Sequence, residues 1–375
     1  MTAIVTDVHY RMSLAIIRDL ADAGVSVIAC DYADIQKPAG FFSNRIAGRV
    51  PLAREGYADG LFALCKQTME QDGQKPALIP VGAKTLALVS QQRERFAGVS
   101  GLLVPKEQDL ALLNDKECVA NLAQALGIPV PRAYAGAARP VQFPAVVKPV
   151  CGEKAGLSAA ERYVIARDAQ QLERAVAHFT GVTGQRPLIQ EYLCGGAAGC
   201  SVLAREGKVL ASICHERIRE YPVSGGPSSC CRKIDAPELL QYAQKITASL
   251  GYSGVAMFEF KQGADGAYRL LEVNPRVWGT YPLTRVCGSN FTWLWCLAAL
   301  GLPLPDFQSG SAAKMAYYPS DLAAMLGYLK RGEVGRFLRG LADFFDPRVK
   351  NGLREKGDGK PYRVYLKSLL ERGSR

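Results

Sequence analysis

The sequence predicts a mixed architecture: a doubly wound α/β unit, then an α+β unit, then a basic and mainly helical C-terminal extension. Three observations carry it. "AIVTD", "RMSLAIIRDLADAG" and "VSVIACD" read as strand, amphipathic helix and strand, a βαβ unit. From about residue 130 the strands come in consecutive runs, which favours antiparallel pairing with helices alongside. Residues 311–375 hold 14 Lys/Arg against 7 Asp/Glu, interleaved with apolar positions at helical spacing.

Element by element, "ALIPVG" continues the first sheet and "AKTLALVSQQRERF" is a helix, so the α/β unit spans residues 1–105. A helix at about 115–126 stops at Gly127. "FPAVVKPV" and "RYVIA" are strands around the loop "CGEKAGLSAAE", a helix covers about 168–179, and "PLIQEYL", "CSVLARE" and "KVLASICHE" are further strands. "APELLQYAQKITASLG" is a helix, and "GVAMFEFK" with "AYRLLEVN" forms a hairpin. The second unit thus spans 106–310, with a smaller subdomain at about 130–195, and the extension spans 311–375.

Composition excludes several classes. At 48% hydrophobic and 22% charged, the chain is not expected to be disordered. "MTAIVTDVHYRMSL" lacks a signal-peptide pattern, and "FTWLWCLAALGLPLP" is too short to cross a bilayer and is broken by Pro303 and Pro305. No membrane partner is expected. Eleven cysteines without metal-type spacing read as reduced apolar side chains of a cytoplasmic protein. The net charge of +11 is read as a solvated helical surface, so nucleic acid is not the expected partner. The first turn, "TDVHYRMS", has no G-x-G-x-x-G, which argues against a nicotinamide or flavin site even though Asp31 ends the second strand.

The hairpin carries the chemistry. With Asp265-Gly266 as a two-residue turn, Ala264 pairs with Ala267 and Glu259 faces Glu272. Alternation then puts Met257, Glu259, Leu270, Glu272 and Asn274 on one face. Ala256, Phe258, Phe260, Leu271 and Val273 lie on the other, the core face. Two opposed carboxylates repel. Either a hard divalent cation on oxygen ligands or neighbouring Lys/Arg must compensate. Arg276, just past the strand, is placed to meet phosphate or an anionic substrate. Lys148 ends a strand before the small-residue loop, where main-chain N–H groups with Gly152, Lys154 and Ser158 suit phosphate oxygens. The spacing is not that of a P-loop.

In order and spacing, "NDK…LGIPVP", "VVKP" with its loop, "LIQEYL", "FEF" and "LEVNPR" resemble the ATP-grasp superfamily over roughly residues 1–305. "HERIREYPVSGGPSS" followed by Arg232 looks like the carboxylate–amine ligase and carbamoyl-phosphate-synthase-like branch. The resemblance implies a pre-ATP-grasp domain, an ATP-grasp fold, and ATP with Mg2+ or Mn2+ as cofactors. It implies that Lys116 and Lys148 contact ATP, that the loop closes over the phosphates, and that Gln190, Glu191 and Leu193 line the adenine hinge. Glu259, Glu272 and Asn274 would bind metal, and Arg276 would stabilise the transferring phosphoryl group. Arg217, Arg219 and Arg232 would hold the carboxylate substrate, with Arg232 also given a catalytic role. His215, two residues before Arg217, is a further substrate candidate.

The implied reaction joins a small carboxylate to an amine through an acyl phosphate. The alternatives are phosphorylation of bicarbonate or carbamate, and a non-catalytic nucleotide-binding protein. A homodimer follows only from the habit of the family. One departure is visible: where relatives often carry an acid for the ribose, this chain has "CGGAAGCSV".

Overall fold

The computed structural model describes residues 1–134, 140–150, 157, 161–223 and 225–373. The N-terminal sheet has strands β1 (Thr2–Val5), β2 (Ser26–Tyr32), β3 (Gly48–Leu52) and β4 (Ala77–Ile79), parallel throughout, in the order β3-β2-β1-β4. Crossover helices cover both faces, which is why its strands are apolar on both sides. Ile4, Cys30 and Leu78 pack under the helix Tyr57–Asp72, while Ala3, Val5 and Ala29 pack under the helix Ser13–Asp22. β3 and the helix Tyr57–Asp72 carry no assignment in the sequence reading.

A three-stranded antiparallel sheet follows, with β5 (Ala145–Lys148), β6 (Val164–Ala166) and β7 (Leu188–Glu191) in the order β6-β5-β7. The helix Ala169–Thr183 backs it with Ala175 and Phe179, and the Asp168 carboxylate caps its N-terminus by accepting from Gln171 N–H.

The largest sheet has seven strands in the order β12-β11-β8-β9-β10-β13-β14. They are β8 (Ala197–Arg205), β9 (Lys208–Glu220), β10 (Ser228–Ile234), β11 (Gly254–Gln262), β12 (Tyr268–Asn274), β13 (Lys314–Ala316) and β14 (Val349–Asn351). On one face, Phe258, Phe260, Val202 and Val273 pack with Leu239, Ala243 and Ile246 of the helix Pro237–Leu250. On the other, Leu203, Ala211, Val255 and Met257 share a single core with the N-terminal sheet. The helix Phe291–Leu300 fills that core. Its all-round apolar sequence reflects burial between two sheets.

The last 65 residues are therefore more than a helical extension. They supply two strands to the large sheet, and Arg18 reaches them through a buried ion pair, Nε to Asp358 Oδ2 at 2.8 Å, with Nη1 donating to Leu353 O. Asp358 also accepts from Ser43 Oγ and Asn44 N–H, so this segment closes onto the N-terminal unit. A three-residue strand and a partner hundreds of positions away leave no local pattern to read.

Candidate active site

The hairpin β11–β12 brings Glu259 opposite Glu272, and Met257 opposite Asn274, as alternation and the turn signal predict. The route to that pairing differs. Gly263 N–H donates to Ala267 O and Gly266 takes φ +77°, so the turn is a three-residue loop with a left-handed glycine. This shifts the pairing by one: Phe260 faces Leu270, and Lys261 faces Arg269. A bulge between Leu270 and Glu272 shifts it back, so two departures from the expected register cancel at the acids. The bulge also exchanges the two leucines. Leu270 enters the core with Phe258 and Val273, and Leu271 is half-buried.

The freed Leu271 carbonyl accepts from Lys148 Nζ at 3.4 Å, linking the small sheet to the hairpin. Lys116 begins the helix Lys116–Ala125, which Asp115 caps by accepting from Glu117 and Cys118 N–H, and its Nζ lies 3.3 Å from Glu272 Oε2. Arg217 on β9 reaches Glu259 Oε2 at 2.6 Å and Glu220 at 3.5 Å. Asn274 Nδ2 donates to Glu259 Oε1 at 3.2 Å, and its Oδ1 accepts from Arg276 Nη2 at 3.0 Å.

Electrostatics separates the two acids. Burial pushes Glu259 up against the pull of Arg217, and the Glu272 charge adds to the rise. Burial works against the charged form of Glu272 too, but Lys116 and Lys148 outweigh it and hold Glu272 below the usual carboxylate range. Burial lowers Lys148 to about 8, despite Glu272 beside it. The site is a half-buried pair of carboxylates ringed by cations that already partly neutralise it.

Not every expected residue joins. His215 is only 1% exposed. It faces Gly199 across β8–β9, and a Cβ at Gly199 would sit 2.6 Å from its Cε1, so the glycine makes room for the ring. Its Nε2 pairs with Thr280 Oγ1 at 3.1 Å, and burial, aided by Arg217, lowers it to about 3. His215 is a neutral wedge beneath the site with no surface to offer a substrate. The irregular pairing of β9 with β10 sets Arg219 opposite Cys230 and Arg217 opposite the next residue, Cys231, so the two arginines fall on different faces, and Arg219 spends its guanidinium on Asp321 (2.9 and 2.8 Å) and Asp343 (2.6 Å). Arg232 faces Glu216, one residue from His215 and Arg217, so it lies on the opposite side of the sheet. There it is exposed and ion-paired with Glu216, away from the acids.

Gln190 is buried on β7, opposite Val146, and Leu193 is buried just beyond. Glu191 accepts from Arg132 N–H at 3.1 Å and meets Arg269 at 3.2 Å, a second tie between the small sheet and the hairpin. Gly152, Lys154 and Ser158 lie outside the described residues. Sequence reasoning missed Arg11, which follows the first strand and stacks on Tyr317, 3.8 Å from the ring centroid. Only the return of the chain through β13 brings Tyr317 there.

A small antiparallel sheet and a large one, tied together beside two acids and two lysines, define the class: the chain has an ATP-grasp fold. The family described as "ATP-grasp in the biosynthetic pathway with Ter operon" matches residues 184–317, which include β7 to β13. The D-alanine–D-alanine ligase of Fusobacterium nucleatum is 26% identical over 174 residues, 44% of this chain and 56% of that enzyme, so the match spans about half the length of that relative. Among solved structures, the biotin carboxylase domain of Hydrogenobacter thermophilus 2-oxoglutarate carboxylase, in complex with MgADP and bicarbonate, superposes with TM-score 0.62 at 15% identity, covering 83% of this chain and 72% of that one. N5-carboxyaminoimidazole synthetase from Staphylococcus aureus, complexed with ADP, gives 0.63 at 14%, covering 84% and 81%. L-amino acid ligase from Bacillus licheniformis gives 0.57 at 18%, covering 81% and 74%. At these identities the solved structures speak for the fold.

Proposed function

We propose that the protein is an ATP-dependent ligase that activates a small carboxylate as an acyl phosphate and joins it to an amine. The observation that carries this reading is the in-register pair Glu259–Glu272, flanked by Asn274, Arg276, Lys116, Lys148 and Arg217. The resemblance of part of the chain to a D-alanine–D-alanine ligase supports it.

The donor set fits magnesium. Among the described residues no three His, Cys, Asp or Glu side chains cluster as a self-sufficient metal site. Magnesium does not require one, since it commonly takes one or two protein carboxylates and completes its shell with phosphate and water oxygens. Glu259, Glu272 and Asn274 offer only hard oxygen donors at the required edge of the hairpin. Magnesium held there would neutralise the charge of the phosphates.

In this reading a substrate carboxylate oxygen attacks the γ-phosphorus, the bond to the β–γ bridging oxygen breaks, and ADP departs with the electron pair. The amine nitrogen then attacks the acyl carbon, the carbon–oxygen bond breaks, phosphate leaves, and the nitrogen loses a proton to solvent. The chain's own task is positioning and charge neutralisation. Lys148 and Lys116 meet the phosphates from the small-sheet side. Arg276, oriented by Asn274, meets the transferring group. Arg217, anchored on Glu259 and Glu220, supplies positive charge on the acceptor side. Gln190, Glu191 and Leu193 form the base-binding edge, and the small sheet excludes water from the acyl phosphate.

The test is ADP release screened across pairs of carboxylates and amines, followed by 18O transfer from the carboxylate to phosphate. Acceptor-dependent release with label in the phosphate is expected. Release supported by bicarbonate alone, or nucleotide binding with no turnover for any pair, would overturn the proposal.

A further inference from the structure

The helix Val334–Phe345 is inside out. Val334, Leu338, Leu341 and Phe345, spaced along one stripe, are all exposed, and Phe345 is 74% exposed. Phe337, Gly340 and Asp343 are the positions that turn towards the protein instead. Asp343 turns inward to Arg219 (2.6 Å) and Lys314 (2.5 Å). Gly340 is buried so closely on Met325 that a Cβ there would lie 2.5 Å from its Cγ. A surface helix normally does the reverse. The adjoining helix Ser320–Lys330 extends the apolar face with exposed Leu326 and Leu329.

Charge around this face is one-sided. Lys330, Arg331, Arg336, Arg339, Arg348 and Lys350 are exposed. The two neighbouring acids, Glu333 and Asp346, are half-buried and already paired with Arg336 and Arg348, each at 2.9 Å. A second copy of the chain related by a twofold axis would bring like charges together. An anionic bilayer surface would instead meet both features at once, accepting the apolar stripe between its headgroups and the basic rim against its phosphates. The helix has 12 residues, about 18 Å at 1.5 Å per residue, which suits lying in the headgroup layer. Among the described residues no helix is long and apolar enough to cross a membrane.

We infer that the helix pair Ser320–Lys330 and Val334–Phe345 docks the protein on the surface of an anionic lipid bilayer, apolar stripe down. The docking face connects to the candidate site through strand β9. Asp343 and Asp321 hold Arg219, two residues from the Arg217 that grips Glu259. A catalyst tethered this way suits a substrate or product that stays at the membrane surface.

The experiment is co-sedimentation of the full chain with vesicles of phosphatidylcholine, alone or mixed with phosphatidylglycerol. The expected result is partition to the mixed vesicles at least about tenfold above the neutral ones, weakened by added salt. Leu338→Asp and Phe345→Asp remove an exposed apolar contact each and should abolish partition, and Arg339→Glu should weaken it. Thermal melting of each variant should match that of the parent, which separates lost docking from lost folding. Failure to sediment with any vesicle overturns the inference, as does sedimentation that survives all three substitutions. A dimer in solution that Leu338→Asp dissociates, without vesicle binding, assigns the face to a second copy and also overturns it.

Discussion

His215 makes the structure testable by pH alone. Its Nε2 pairs with Thr280 Oγ1, and its burial and the nearby Arg217 charge both favour neutral imidazole. Its value falls from the ordinary 6.5 to about 3 on folding. The unfolded chain therefore takes up a proton that the folded chain refuses, and stability falls as pH drops below about 6.5, levelling off near 3. With those two values, the loss between about pH 7.5 and about pH 5 comes to roughly 2 kcal/mol, approaching a ceiling of about 5 kcal/mol near pH 2. Other groups titrate in the same range, so the measurement is a difference. Urea unfolding of the parent and of His215→Gln is followed from pH 7.5 to 5. The glutamine retains a partner for Thr280 but carries no titrating group. The parent should lose about 2 kcal/mol more than the variant over that interval. Parallel profiles would refute the argument, because they would mean the imidazole is protonated in the folded protein and the wedge is wet.

Three further outcomes follow from the same geometry. Glu272→Gln and Glu259→Gln should each lower acceptor-dependent ADP release by about 100-fold or more, with melting little changed, since each removes a carboxylate proposed to hold the magnesium that neutralises the phosphates. Gly199→Ala places a methyl group 2.6 Å from the His215 ring and should cost about 1–3 kcal/mol in denaturant unfolding, with partial recovery when His215 is shortened to Ala. Arg18→Met strands the buried Asp358 carboxylate and should cost about 3–5 kcal/mol, while the double variant Arg18→Met/Asp358→Leu should regain part of the loss.

Much of the site was legible because strand alternation is a local rule. Glu259, Glu272 and Asn274 could be placed from a turn and a count of residues. The bulge at Leu271 could not, since nothing in "YRLLEVN" marks which leucine slips, and its cancellation of the turn's offset was fortunate. The three arginines show the limit. By simple alternation Arg217 and Arg219 would share a face, but the irregular pairing of β9 with β10 turns Arg219 to Asp321 and Asp343, about a hundred residues on, and leaves Arg217 to Glu259. Arg232 falls on the far side because β10 sets it opposite Glu216, the two irregularities before it cancelling, and a short Cys-rich strand gives no sign of its register. The N-terminal βαβ pattern was plain. The strands β13 and β14 were not, because three residues are too few to show a period.

The helix Phe291–Leu300 fixes which part of the molecule is able to open. It is buried against both the parallel sheet and the seven-stranded one, so those two bodies move as a single block. The β5–β7 unit is fastened to the hairpin by slighter means, Lys148 on one carbonyl and Glu191 on Arg269. If the protein turns over nucleotide as proposed, the part with the fewest ties to release is that light flap, while the two-sheet block shares one continuous core.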